Sequence, residues 1–393
     1  MKMKPVAIVV AGIVLVLQWT YRKCDQADAK LGEFYSFVAS ANFSSAGESV
    51  NEAIRLWPSN ARYYGWRGYV RSQQLPSQCP RRMGRVPEVL GDLEVQLAQQ
   101  AAADYRRSLA LNSRDAVAHH NLAWLEHLFG DDTAAAIDWR QSVEIDPDNS
   151  VFRLSYAMFL EENGDVRTAR EQYESAVEMT PSILDSPFFA RYRSRFPVAA
   201  DFLVKDCAAR IKSRLGQGNN PILEARLGKL YLYLGDLEQS APLLEDAARQ
   251  LPNLPLVWFN LGELRQSQGN IEQALICYKR TQAIDASLAG PYLRMGDLDL
   301  RAGRTDVAAQ ELTLALKRWQ TVKPVTAAHN NRLYRGPRQT IDDLLPTTLV
   351  WFISPCEASA AWSELSRLHP ENADYGRRVR TCEQIPAPHA AIQ

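Results

Sequence analysis

Residues Pro255–Leu288 read PLVWFNLGELRQSQGNIEQALICYKRTQAIDASL, and their neighbours repeat the pattern at a fixed spacing. With Pro255 as position 1, Trp258, Leu261, Gly262, Gly269, Ala274 and Tyr278 stand at positions 4, 7, 8, 15, 20 and 24. The same register laid on Pro221 puts Leu227, Gly228, Tyr231, Gly235, Ala247 and Pro252 at positions 7, 8, 11, 15, 27 and 32. A 34-residue period means stacked two-helix units, each burying its apolar face against the next. Such a surface holds partners more readily than it performs chemistry.

Extended outward, the register covers 116–149, 150–183, 221–254, 255–288 and 289–322 as whole units, and 27–60 fits upstream. Residues 61–115 hold one unit with a long insertion over 74–99, which carries Pro76, Cys79, Pro80 and Pro87. Residues 184–220 read as a degenerate repeat. The stretch 323–338, with Pro324, Gly336 and Pro337, reads as a linker. Residues 339–385 read as a last degenerate repeat with a capping helix, and 386–393 as a tail.

Each conserved spacing within the repeat has a physical reason. Gly228, Gly262 and Gly296, or Ala123 and Ala157, leave room at position 8 for the second helix. Bulky residues at position 24, such as Trp139 and Tyr173, fill the space between the pair. Gly130, Gly164, Gly235, Gly269 and Gly303 at position 15 end the first helix in a left-handed conformation. Asp131, Asp165, Asp236 and Asn270 follow, suited to capping the second helix.

The pattern Trp258-x-x-Leu261-Gly262, with Ala274 and Tyr278 behind it, resembles the tetratricopeptide repeat family. The resemblance implies an all-α, right-handed superhelical solenoid of stacked helix-turn-helix repeats over most of 27–372. It also implies a groove lined by positions 2, 5, 9 and 12 of the first helices. Carried onto this sequence, those positions give His120, Trp124, His127, Met158, Glu161, Lys229, Phe259, Glu263, Gln266 and Asp297. Asn121 and Asn260 fall at position 6, where members of the family hold a peptide backbone. The lysine and asparagine set that clamps a C-terminal carboxylate in chaperone-binding members is not reproduced. The expected occupants are proteins or peptides, with polysaccharide as the alternative through Trp66, Trp124, Trp258 and Tyr292.

The chain begins differently. Lys2 and Lys4 precede an apolar run from Val6 to Leu17, followed by Trp19, Tyr21, Arg22 and Lys23. Residues 5–21 are of the length that a short transmembrane helix needs, with aromatic residues at one boundary. A cleaved signal peptide is the alternative, although no small-x-small site follows the run. Residues 1–26 are therefore read as a membrane anchor. The flanking charges favour repeats outside the cytoplasm, which in a bacterium means an inner-membrane, single-pass protein with a periplasmic array. Among anchored arrays of this family, envelope and exopolysaccharide assembly are frequent roles.

Composition excludes other classes. Lys plus Arg equals Asp plus Glu at 45 each, so nucleic acid is not an expected partner. There is no glycine-rich phosphate loop and no G-x-S-x-G. His120 and His127 are two helical turns apart, too far to share one metal ion without further ligands. Neither a cofactor nor a metal is expected, and the chain is not read as an enzyme. Six cysteines form no CxxC pair. Cys277 is expected in the core. Cys356 and Cys382, on consecutive antiparallel helices, are candidates for a disulfide that pins the cap in an oxidising compartment, with two unrelated thiols as the alternative.

Overall fold

A computed structural model describes residues 21–37, 42–75, 91–185, 187–216, 220–321, 355–373 and 375–376. The apolar run before Tyr21, most of the 74–99 insertion, the 323–338 linker, the side chain of Cys356 and all of Cys382 lie outside these. Among the described residues there are helices and no strands, and no helix is long and apolar enough to cross a membrane.

The chain divides into two compact units, Met1–Asp146 and Pro147–Gln393. The first holds α1 (residues 21–37), α2 (Phe43–Leu56), α3 (Ala61–Gln74), α4 (Asp92–Leu111), α5 (Ala116–Leu128) and α6 (Asp132–Ile145). Here α3 packs on α4, α4 on α5 and α5 on α6.

The second unit opens with α7 (Ser150–Glu162) and α8 (Val166–Met179), then a 3-10 turn, Pro181–Asp185. Next come α9 (Pro187–Arg195), α10 (Pro197–Leu215), α11 (Pro221–Tyr233), α12 (Leu237–Gln250), α13 (Pro255–Ser267) and α14 (Ile271–Ile284). It continues through α15 (Ala289–Arg301), α16 (Thr305–Thr321) and α17 (Pro355–Leu368). Four antiparallel pairs repeat in it, α7 with α8, α11 with α12, α13 with α14 and α15 with α16.

The first helices α5, α7, α11, α13 and α15 all begin at position 1 and run for 13 residues. Their ends are set by the position-15 glycines, which all adopt φ between 74° and 84°. The second helices start on the expected caps: Asp131, Asp165, Asp236 and Asn270 each accept a backbone N–H through a side-chain oxygen. At α16 the cap position holds Arg304, whose guanidinium instead binds the buried Asp299 of the preceding helix.

Close approach at position 8 is equally direct. A Cβ built on Gly262 would lie 2.5 Å from the Tyr278 ring, and one on Gly228 or Gly296 within 2.9 Å of Leu244 or Leu312. Each of those partners is at position 24. Trp139, Tyr173 and Tyr278, all at that position, are fully buried. Cys277 is buried beside them, as its position implies.

Register is lost after α8. The 3-10 turn and α9 replace a regular pair, and α10 packs directly on α8 as well as on α11. Phe189, Tyr192 and Tyr173 form an aromatic nest there, with centroids 4.6–6.0 Å apart.

Candidate functional site

The chemistry of the second unit gathers where α11 and α13 face the turn that follows α8. Positions 2, 5, 6 and 9 of α11 are Ile222, Ala225, Arg226 and Lys229, and positions 2 and 6 of α13 are Leu256 and Asn260. Together with Met179–Ser182 and Leu254 they line a small cleft.

Lys229 lies 4% exposed at the edge of this cleft. Its Nζ donates to Glu263 Oε2 at 2.8 Å and pairs with Asp185 Oδ2 at 2.7 Å. Glu263 is also approached by Arg294 Nε at 3.5 Å. Burial alone would lower the Lys229 pKa, but the Asp185 and Glu263 carboxylates reverse this and hold it above its ordinary value. Burial likewise pushes Glu263 up, and the Lys229 and Arg294 cations bring it below the usual carboxylate range. Both groups are therefore ionised at neutral pH. Lys229 and Glu263 are the same repeat position one period apart, so the register itself places them in contact.

Two polar groups in the cleft have no such partner. Asn260 is 2% exposed and Ser182 is 3% exposed, and neither Asn260 Oδ1 nor Ser182 Oγ meets a hydrogen-bond partner among the described residues. A buried polar atom left unmade costs about 1–3 kcal/mol, so a ligand that supplied partners to these two would recover part of that cost. The other position-6 asparagine differs, since Asn121 interacts with the Tyr105 hydroxyl.

The remaining groove candidates are mostly spent on the protein. In the second unit Met158 and Phe259 are buried, and the Phe259 ring packs 5.6 Å from that of Tyr278. Glu161 accepts from Tyr173 Oη at 3.0 Å and Arg195 Nη1 at 2.7 Å. Gln266 accepts from Tyr278 Oη at 2.8 Å, and Asp297 pairs with Arg301 at 2.9 Å. In the first unit His120 is buried and accepts from Trp124 Nε1 at 3.3 Å; burial lowers its pKa to about 3, so it is neutral. His127 Nδ1 lies 2.7 Å from Asp132, and its ring lies 5.8 Å from that of Trp139.

Two more of the aromatic residues considered for sugar stacking use their polar tips internally. Trp258 Nε1 donates to Pro252 O at 3.0 Å and Tyr292 Oη to Ala286 O at 3.2 Å. Arg210 and Arg214 pair with Glu178. Among the described residues no group of three His, Cys, Asp or Glu side chains is placed to hold a metal ion.

Ser182 and Asp185 were not legible in the sequence as site residues. Ser182 is position 33 of the 150–183 unit and Asp185 lies in 184–220, where the period fails; Pro181, at the helix-ending position 32, is the one local signal nearby.

These features define a helical-repeat protein with a mainly apolar cleft, holding a few polar groups, between consecutive first helices. Residues 226–289 match the family model described as tetratricopeptide repeat, so α11–α14 are repeats of that type by sequence as well as by geometry. No curated protein matches the chain. Among solved structures it is similar to a tetratricopeptide repeat protein from Parabacteroides merdae, at 14% identity and a TM-score of 0.37 over 77% of this chain and 99% of that one. It is also similar to yeast Tom70, at 13% identity and a TM-score of 0.38 over 92% of this chain and 89% of that one. A third is YrrB, titled a TPR protein with an unusual peptide-binding site, at 15% identity and a TM-score of 0.25 over 58% and 98% of the two chains. Likeness at this level says nothing about partner or pathway.

Proposed function

We propose that this protein is a scaffold whose second unit holds an extended polypeptide of a partner in the cleft between α11 and α13. The observation that carries this reading is the pair of buried, unpartnered polar groups, Asn260 Oδ1 and Ser182 Oγ, lining one cleft with aliphatic walls. A peptide backbone supplies both donors and acceptors at regular intervals, and its side chains supply the apolar contact. The role is one of binding: Ser182 has no histidine partner to activate it.

The apolar run at residues 5–21 supports an anchored form of this scaffold, with the repeats outside the cytoplasm and partners in envelope assembly. A photo-crosslinking amino acid at Leu256, inside the cleft, tests the polypeptide reading in intact cells against one at Ile276, on the exposed side of α14. A covalent polypeptide adduct from Leu256 and none from Ile276 is expected. Absence of any adduct from Leu256 contradicts the reading.

A further inference from the structure

Five first helices, α3, α5, α7, α13 and α15, are each tied to the turn before them by one side-chain contact. The residue at position 4 reaches the carbonyl at position 32 of the preceding repeat, six residues back along the chain. Tyr64 Oη donates to Pro58 O at 3.1 Å and Arg153 Nε to Pro147 O at 2.7 Å. Trp258 Nε1 donates to Pro252 O at 3.0 Å and Tyr292 Oη to Ala286 O at 3.2 Å. His119 Nε2 lies 3.1 Å from Ser113 O, a contact in which only the ring can donate. Tyrosine, histidine, arginine and tryptophan all serve, so position 4 requires a donor of sufficient reach.

At α11 the same position holds Glu224, and a carboxylate has no hydrogen to donate. Its Oε2 accepts from Gln250 Nε2 at 3.1 Å, within its own repeat. Asn220 caps the N–H groups of Ile222 and Leu223, but that bond stays within the start of α11. The N-terminal end of α11 therefore lacks the tie that the other five have. Apart from the packing of α10 along it, α11 is held to the preceding elements further along its length. Tyr233, its last residue, lies 6.1 Å from the Phe189 ring and 5.0 Å from the Arg193 guanidinium. Lys229, one turn earlier, pairs with Asp185 Oδ2 at 2.7 Å.

The cleft straddles this joint. Met179–Ser182 form its wall on one side, and Ile222, Ala225 and Leu256 face them from α11 and α13. Movement about the Tyr233 end would part these walls at the N-terminal end of α11. Asp185 shares its 3-10 turn with Ser182, so its bond to Lys229 opposes that movement. We infer that the α10–α11 joint is a hinge and that the Asp185–Lys229 ion pair is the latch that positions the two walls of the cleft. Lys229 is then a positioning residue, acting on a ligand through the turn and not by touching it. The hinge is independent of the polypeptide-binding reading, and only its effect on binding rests on that reading.

Distances between spin labels on the full chain in detergent test both parts, with labels carried on ketone-bearing residues so that the native cysteines stay unmodified. Arg167, Glu238 and Asp306 are exposed and occupy position 18 of α8, α12 and α16. The Arg167–Glu238 pair spans the α10–α11 joint, whereas Glu238–Asp306 spans the two tied joints before α13 and α15. Wild type should give a distance distribution about twofold broader for the first pair. Asp185→Asn should broaden it further, and Asp185→Glu, which keeps the carboxylate, should leave it near wild type. Trp258→Phe, which removes a tie, should broaden the second pair alone. Equal widths in wild type overturn the hinge, and so does an unchanged second pair in Trp258→Phe. An unchanged first pair in a folded Asp185→Asn protein overturns the latch. Should that variant fail to fold, salt decides, since screening of the exposed Asp185 should broaden the first pair alone. If the widths behave as expected while Leu256 gives no crosslink, the hinge stands and the polypeptide reading falls. If crosslinks form while the widths are equal, the reverse holds.

Discussion

At the scale of single residues, the sign of a substitution follows from what surrounds it. Gly262 and Gly32 are both helical glycines, and alanine is intrinsically worth up to about 1 kcal/mol at either. At Gly262 the new methyl would sit 2.5 Å from a Tyr278 ring that is fully buried and held through its hydroxyl by Gln266. Overpacking of about 1–3 kcal/mol wins there, so Gly262→Ala should lower the denaturation midpoint. Nothing lies within 4 Å of a Cβ on Gly32, so Gly32→Ala in α1 should raise it. Urea titration of both variants checks the pair.

Titration supplies a second test at this scale. Glu126 in α5 is pushed up to about 7 by burial and the neighbouring Asp138 carboxylate, against the opposing Arg106 cation. His119, bonded to Asp138 at 2.5 Å, is raised above its ordinary value because that carboxylate outweighs burial. A raised carboxyl pKa means the folded form binds the extra proton, so its stability falls as pH rises from about 4.5 towards 7. A raised histidine pKa acts in the same direction, since its contribution is lost as pH rises through the folded value. The first unit should therefore be less stable at pH 8 than at pH 5, with Glu126 contributing most of the difference. Glu126→Gln should flatten most of that dependence in thermal melts.

At the scale of elements, local chemistry was readable wherever it repeats. The position-15 glycines, the aspartate and asparagine caps and the position 8 to 24 contact each depend on residues inside one 34-residue unit, so the sequence contains the whole cause. Asp236→Ala, which removes the α12 cap bond to Gln239 N, should cost about 0.5–2 kcal/mol by urea titration. The groove was legible only in part. Lys229 and Glu263 share a repeat position, and the register brings them together. Met158 and Phe259, chosen on the same rule, are instead buried, Phe259 against the position-24 ring of Tyr278. Asp185 lies where the period lapses and Ser182 one position from the end of the unit before it, and their place depends on how α8, α10 and α11 pack, which no local pattern records.

At the scale of the molecule, the repeats of the second unit supply the frame and one break in them supplies part of the candidate site. The formal net charge of the whole chain is zero, and beside the cleft Lys229 is paired with Asp185 and Glu263. Binding in this account comes from hydrogen bonds and aliphatic contact, with long-range attraction contributing little. That makes Asn260 the decisive residue, because its buried Oδ1 has no hydrogen-bond partner among the described residues. The most direct measurement compares wild type, Asn260→Leu and Asn121→Ala for affinity towards the polypeptide crosslinked at Leu256, together with their melting temperatures. The account predicts about tenfold weaker binding by Asn260→Leu, with a melting temperature equal to or above that of wild type, and unchanged affinity for Asn121→Ala. Wild-type affinity in Asn260→Leu would contradict it.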